Sequence, residues 1–111
     1  MTLNETAAAL NCEILQAEFE DVELSGAYTS DLLSDVMANA KSGGALITIQ
    51  AHKNTVAVAT LASLSVIIVC NSRPVPDDMI VAAREEGLAI FRSSESQFVI
   101  SGKLYALLLP S

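Results

Sequence analysis

ALITIQAHKNTVAVATLASLSVIIVC, residues 45–70, reads as a strand, a helix and a second strand in succession. Ala45 to Gln50 is a short apolar run. Val66 to Cys70 is β-branched and continuously apolar, the pattern of a strand covered on both faces. Between them Lys53 or Asn54 opens a helix whose inward face is expected to be Ala57 and Leu61, with Leu64 following. A strand, a helix and a strand joined by short connections form a right-handed crossover between parallel strands.

The same alternation continues outward from this unit. On the N-terminal side, Ser30 opens a helix in which Leu32, Leu33, Val36, Met37 and Ala40 form an apolar stripe, stopped by Ser42-Gly43-Gly44. Before it, residues 12–17 and 22–28 read as two strands around an acidic turn, a hairpin-like unit. A short helix over residues 4–10 precedes them, with Asn4 as its cap. On the C-terminal side, Pro74 and Pro76 break the chain. Asp77 is expected to cap a helix that Gly87 ends, Leu88 to Phe91 is another buried strand, and Ser94 or Ser96 starts a last helix. In that helix Phe98, Ile100, Leu104, Leu107 and Leu108 are the apolar contacts. The order from residue 22 is β-α-β-α-β-α-β-α. The expectation is one α/β domain over 1–111, with a mainly parallel sheet and crossover helices: residues 1–21 as an N-terminal helix and strand, residues 22–111 as the crossover core.

Composition agrees with a folded domain. The 111 residues are 51% hydrophobic but only 5% aromatic, without tryptophan, so Ala, Leu, Val and Ile must build the core. A chain of this size buries roughly 65% of its unfolded surface, enough for one core. The net charge is −7. Residues 1–40 carry eight acids and no Lys or Arg, while residues 41–111 carry six bases and five acids. A non-specific nucleic-acid binder needs a basic face, so nucleic acid is not an expected partner. The longest apolar stretch, Thr55 to Cys70, is shorter than the ~20 residues that span a bilayer, so no membrane association is expected. MTLNETAAAL lacks the basic region of a secretory signal peptide, and Cys12 and Cys70 make neither a zinc site nor a disulfide framework. Free thiols in a cytoplasmic protein are the reading.

Ligands of such a sheet sit outside the carboxyl ends of its strands. The loops leaving those ends carry Tyr28 to Asp31, Ala51 to Asn54, Asn71 to Arg73 and Arg92 to Ser94. Three helix N-termini point to this edge, and Lys53, Arg73 and Arg92 add positive charge, which suits a phosphate or carboxylate. The candidate ligand-binding residues are Ser30, Asp31, His52, Lys53, Asn54, Asn71, Ser72, Arg73 and Ser93. The alternative is that Ser30, Asn54, Asp77 and Ser94 only cap helices and that the loops are merely solvated. His52 is the only histidine, and Asp31 with Ser30 is the nearest approach to a triad. A lone loop histidine is more often a surface residue, and Cys70 at the end of a buried strand reads as core. Asp31 and Asp35, one helical turn apart, read as solvated helix surface rather than a metal site. Phosphate-loop, dinucleotide, zinc-protease and nucleophile-elbow motifs are absent. No enzyme activity, cofactor or metal is expected.

Residues 25–94 resemble the DRTGG domain family, which is related to the N-terminal, non-kinase domain of HPr kinase/phosphorylase. The run Ser30-Asp31-Leu32-Leu33-Ser34-Asp35-Val36-Met37-Ala38 and the strand Leu46-Ile47-Thr48-Ile49-Gln50 carry the resemblance, with Gly102-Lys103-Leu104-Tyr105 in the last helix. The motif that names the family is degenerate here. His52-Lys53 stands where the pattern has Asp-Arg, and Cys70-Asn71-Ser72 where it has Thr-Gly-Gly. The resemblance implies a compact α/β fold and a non-catalytic regulatory or protein-interaction module that self-associates, as members set beside phosphotransacetylase domains or between CBS domains of pyrophosphatases do. It implies a homodimer; Leu107-Leu108-Leu109 is a candidate patch, since three successive leucines cannot all face one core. A protein partner, and a small phosphorylated metabolite or nucleotide sensed at the strand-end edge, are the remaining partner classes.

Overall fold

The computed structural model describes residues 1–109. The elements run α1 Leu3–Ala9, β1 Glu13–Gln16, β2 Ala27–Thr29, α2 Leu33–Asn39, β3 Ala45–Thr48, α3 Lys53–Leu61, β4 Val66–Val69, α4 Asp77–Glu86, β5 Ala89–Arg92 and α5 Gln97–Leu108. The five strands form one sheet in the order β1-β5-β4-β3-β2. β2, β3, β4 and β5 run parallel to one another, with Leu46 beside Ile67 and Ile67 beside Ile90. The single α/β domain with a mainly parallel sheet is as the sequence implies.

β3 and β4 are buried at every residue. Alternate side chains feed two separate cores. Val66 and Ile68 join Ile47, Phe91, Leu3, Ala7, Ile100 and Leu104 beneath α1 and α5. Ile67 and Val69 join Leu46, Ile90, Val36, Val56, Met79 and Ala83 beneath α2, α3 and α4. The result is three layers, helix on sheet on helix.

The N-terminal third differs from the expected hairpin. β1 and β2 lie on opposite edges of the sheet, and β1 runs antiparallel to β5, with Glu13 opposite Arg92. Residues 22–26 are not strand, apart from a bridge between Glu23 and Thr2. A hairpin would leave the far side of β5 unpaired, whereas the long connection lets β1 cover that edge while β2 covers β3. α1 begins one residue earlier than expected. Thr2 caps it, in a reciprocal box with Glu5. Asn4 is already helical and donates its N–H to Asp21.

Three helix readings also change. In α2 only Val36 is buried, and Leu32 and Met37 are exposed. In α3 the inward residues are Thr55, Val56 and Ala59, while Ala57 and Leu61 face solvent. Apolar residues of this helix fall on more than one side, so periodicity cannot choose its face. The bond from Thr55 Oγ1 to the Gln50 carbonyl helps set it. α4 is capped by no side chain: Pro76 holds the cap position and Asp77 is the first helical residue. Gly87 ends α4 at φ 64°, as expected of a left-handed stop.

Candidate functional site

The sheet leaves two places where side chains converge without being absorbed by the cores. The first is the carboxyl end of the parallel strands. Asp31, just beyond β2, is the centre of a knot there. Its Oδ1 accepts from Thr48 Oγ1 at 2.8 Å, from the Ile49 N–H at 2.9 Å and from Gln97 Nε2 at 3.0 Å. Gln50 Nε2 donates to the Asp31 carbonyl. The β2–α2 loop, the end of β3 and the start of α5 are thereby tied together. Ser30 Oγ accepts the Leu32 N–H, a local turn rather than a helix cap.

His52 is the N-cap of α3, its Nδ1 accepting from the Asn54 N–H at 3.0 Å. The sequence suggests Lys53 or Asn54 as the start, and the histidine itself does the capping. Lys53 and Asn54 are exposed in the first turn. Asn71 and Ser72 follow β4 with φ of 60° and 50°. Both positions, where the family pattern has glycine, therefore hold a left-handed backbone. Their N–H groups do not point to an open cradle: Asn71 donates to the Glu95 carbonyl and Ser72 to that of Ser93, at 2.9 Å each. Ser93 is buried, and its Oγ accepts the Glu95 N–H.

The bases of this edge divide into two groups. Arg92 Nε and Nη2 each donate to the Glu13 carboxylate at 3.2 Å, and Nη1 reaches the Arg73 carbonyl. The guanidinium beside Glu13 holds that carboxyl below the usual carboxylate range. Arg92 is thus neutralised by a strand outside the expected core. Lys53 and Arg73 are exposed and take part in no ion pair among the described residues. The N-terminus of α4 carries Asp77 and Asp78, which oppose an anion. The nine residues singled out in the sequence follow the carboxyl ends of the parallel strands, but Asp31, His52 and Ser93 are engaged in internal hydrogen bonds. Both thiols are held up by burial, Cys12 and Cys70 to about 11, so neither is a ready nucleophile.

The second place is a groove of about 640 Å³ between β2 and α5. Gly26, Ala27 and Thr29 form one wall, Phe98, Ser101, Gly102, Tyr105, Leu108 and Leu109 the other, and Ile47 lies between. Thr29 Oγ1 and Ser101 Oγ share a hydrogen bond of 2.7 Å across it. Phe98 is 87% exposed and Tyr105 70%. The sequence reading puts Phe98 among the inward contacts of α5, and the structure turns it outward. Of the three leucines, Leu108 packs against the core, Leu109 lines the groove and Leu107 is partly exposed. The available signal was the helix itself, which carries one charge, Lys103, in twelve residues and is apolar on every side.

No protein-family model matches the chain, and no curated protein matches it in sequence. Its fold matches a solved structure, the CBS and DRTGG domains of the regulatory region of Clostridium perfringens pyrophosphatase, complexed with the activator diadenosine tetraphosphate. The TM-score is 0.74 at 13% identity, over 93% of this chain. The chain spans 45% of that structure's length. The likeness is one of fold, and it supports a DRTGG-like α/β architecture.

Proposed function

We propose that this chain is a non-catalytic regulatory module that works by self-association through the β2–α5 side. The contrast between the two sheet edges carries the reading. β1 is defended: a register irregularity lies between Ile14 and Gln16, and Glu13 sits on the strand. β2 has no charge, no proline and no bulge, and it opens into an apolar groove. Exposed apolar surface beside a free strand edge is the usual mark of an interaction site. The only histidine, engaged as a helix cap, and two thiols held in protonated form favour interaction over chemistry. Light scattering after size-exclusion chromatography tests this. A dimer is expected, and a strict monomer up to about 1 mM, the weakest range of specific affinities, overturns it.

A second reading is a sensor of a small phosphorylated metabolite or nucleotide at the strand ends, around Lys53, Asn54 and Arg73. The nucleotide activator bound to the regulatory region of similar fold favours it, as do the two bases, at the start of α3 and beyond β4, that form no ion pair among the described residues. Diadenosine tetraphosphate, AMP and ATP are the probes. A ligand at 100 times its Kd raises stability by roughly 2.7 kcal/mol, read as a melting shift. No shift with any of them at millimolar concentration counts against this reading.

A further inference from the structure

The groove wall on α5 has an internal symmetry. Phe98, Gly102, Tyr105 and Leu109 fall on one stripe of the helix, with Ser101 beside it. The two large aromatics are equidistant from the Ser101-Gly102 pair. Large, small, large is the pattern of a surface that fits its own copy when the copy is turned about the small residues.

Gly102 adds an independent observation. A glycine inside a helix costs about 1 kcal/mol relative to alanine. Nothing in this chain requires it, because a Cβ at Gly102 would meet no heavy atom within 4 Å. A close approach from outside gives the missing side chain a reason.

The edge strand has matching symmetry. The Ala45 N–H bonds the Gly26 carbonyl and the Ser30 N–H bonds that of Ile47. Alternation then turns the N–H and C=O groups of Ala27 and Thr29 outward, on either side of Tyr28. The Thr29–Ser101 bond sets this strand and the small pair of α5 at one height.

We infer that two copies of the chain pair across β2, antiparallel, with α5 packed antiparallel on its copy about Ser101-Gly102 and Phe98 of each protomer against Tyr105 of the other. This rests on the self-association reading above and names its surface. The placement of α5 agrees. α5 packs over both β2 and β3, beside the edge strand. Pairing across β2 therefore brings the two α5 helices side by side on one face of the joined sheet, where helices in contact lie roughly 8–10 Å apart.

Charge and area favour a second copy. None of the thirteen acids lines the groove, and Lys103 falls on another side of α5, so two chains of charge −7 meet where neither presents a carboxylate. Phe98, Tyr105 and Leu109, the last 51% exposed, offer about 400 Å² together, half of the ~800 Å² each partner gives a standard interface, before the edge strand is counted.

Paired charge variants test the arrangement. Phe98→Glu and Tyr105→Lys each weaken the dimer about 30-fold or more in sedimentation equilibrium. Mixing the two restores it, because the heterodimer sets the introduced carboxylate against the introduced ammonium at one contact and keeps Tyr105 on Phe98 at the other. Circular dichroism of each variant at the wild-type amplitude shows it folded. A monomeric wild type overturns both this arrangement and the self-association reading, leaving the groove to a different protein. A dimeric wild type whose two variants stay dimeric keeps self-association and overturns this face. Monomeric variants that remain monomeric when mixed overturn the two-fold arrangement.

Discussion

Ser72 holds φ 50° in the loop after β4, and Asn71 before it holds 60°. Asparagine tolerates this region, because its short amide can bond locally, but serine carries a Cβ penalty of roughly 1 kcal/mol there. The conformation persists because the loop is tied at both N–H groups to the segment after β5. Ser72→Gly is therefore expected to raise unfolding free energy by about 1 kcal/mol, and Asn71→Gly by less, measured as the urea midpoint at constant slope. An unchanged or lowered midpoint for Ser72→Gly contradicts the strain. The sequence marked these two positions as departures from a glycine pattern and as candidate ligand-binding residues. That the backbone keeps the glycine conformation was not legible, since φ at a serine depends on what its N–H groups find across the loop.

At the scale of elements, Asp31 does what no single helix or strand does for itself. One carboxylate oxygen joins the β2–α2 loop, the end of β3 and the first turn of α5. Asp31→Ala leaves three donors without that acceptor, and a loss of about 2–3 kcal/mol is expected in urea unfolding. Asp31→Asn keeps an acceptor oxygen and should lose clearly less; equal losses for the two would deny the carboxylate this role. The residue was visible in the sequence as a strand-end acid, but as a ligand candidate or solvated helix surface. Its partners are 17 to 66 residues away, so only folding assembles them. Helix existence was legible in every case from apolar content, although of the expected N-caps only Ser96 holds its place. Helix facing was not, in α2 and α3, because both are apolar enough on several sides that burial is decided by the neighbour each one meets. The same ambiguity hid the groove: α5 had more apolar residues than one core could take, and the excess faces outward at Phe98 and Tyr105.

At the scale of the molecule, the charge asymmetry acquires a structural role. The carboxylates of the acidic first third tie that segment to itself at Glu5 and Asp21 and to β5 at Glu13. The Thr2 N–H bonded to Glu5, the Arg92 guanidinium bonded to Glu13 and the Asn4 N–H bonded to Asp21 hold all three below the usual carboxylate range. With folded pKa values below the unfolded ones, the unfolded chain binds more protons across that window, so stability rises with pH through it. The contribution is complete above the ordinary carboxylate range and is lost as pH falls through the lowered values. Urea midpoints measured against pH should fall on this acid limb, and Arg92→Gln should make the fall shallower by removing the part due to Glu13. A slope unchanged in that variant would rule the pair out as a source. By itself, the amino-acid sequence determined the α/β class, the crossover order, the doubly buried β4 and the helix stop at Gly87, because these depend on periodicity and on local backbone chemistry. Only the tertiary structure decided where β1 pairs, which bases of the strand-end edge are neutralised, and that β2 is the open edge beneath an exposed aromatic stripe. Those depend on which distant segments meet, and a local pattern of residues does not contain that information.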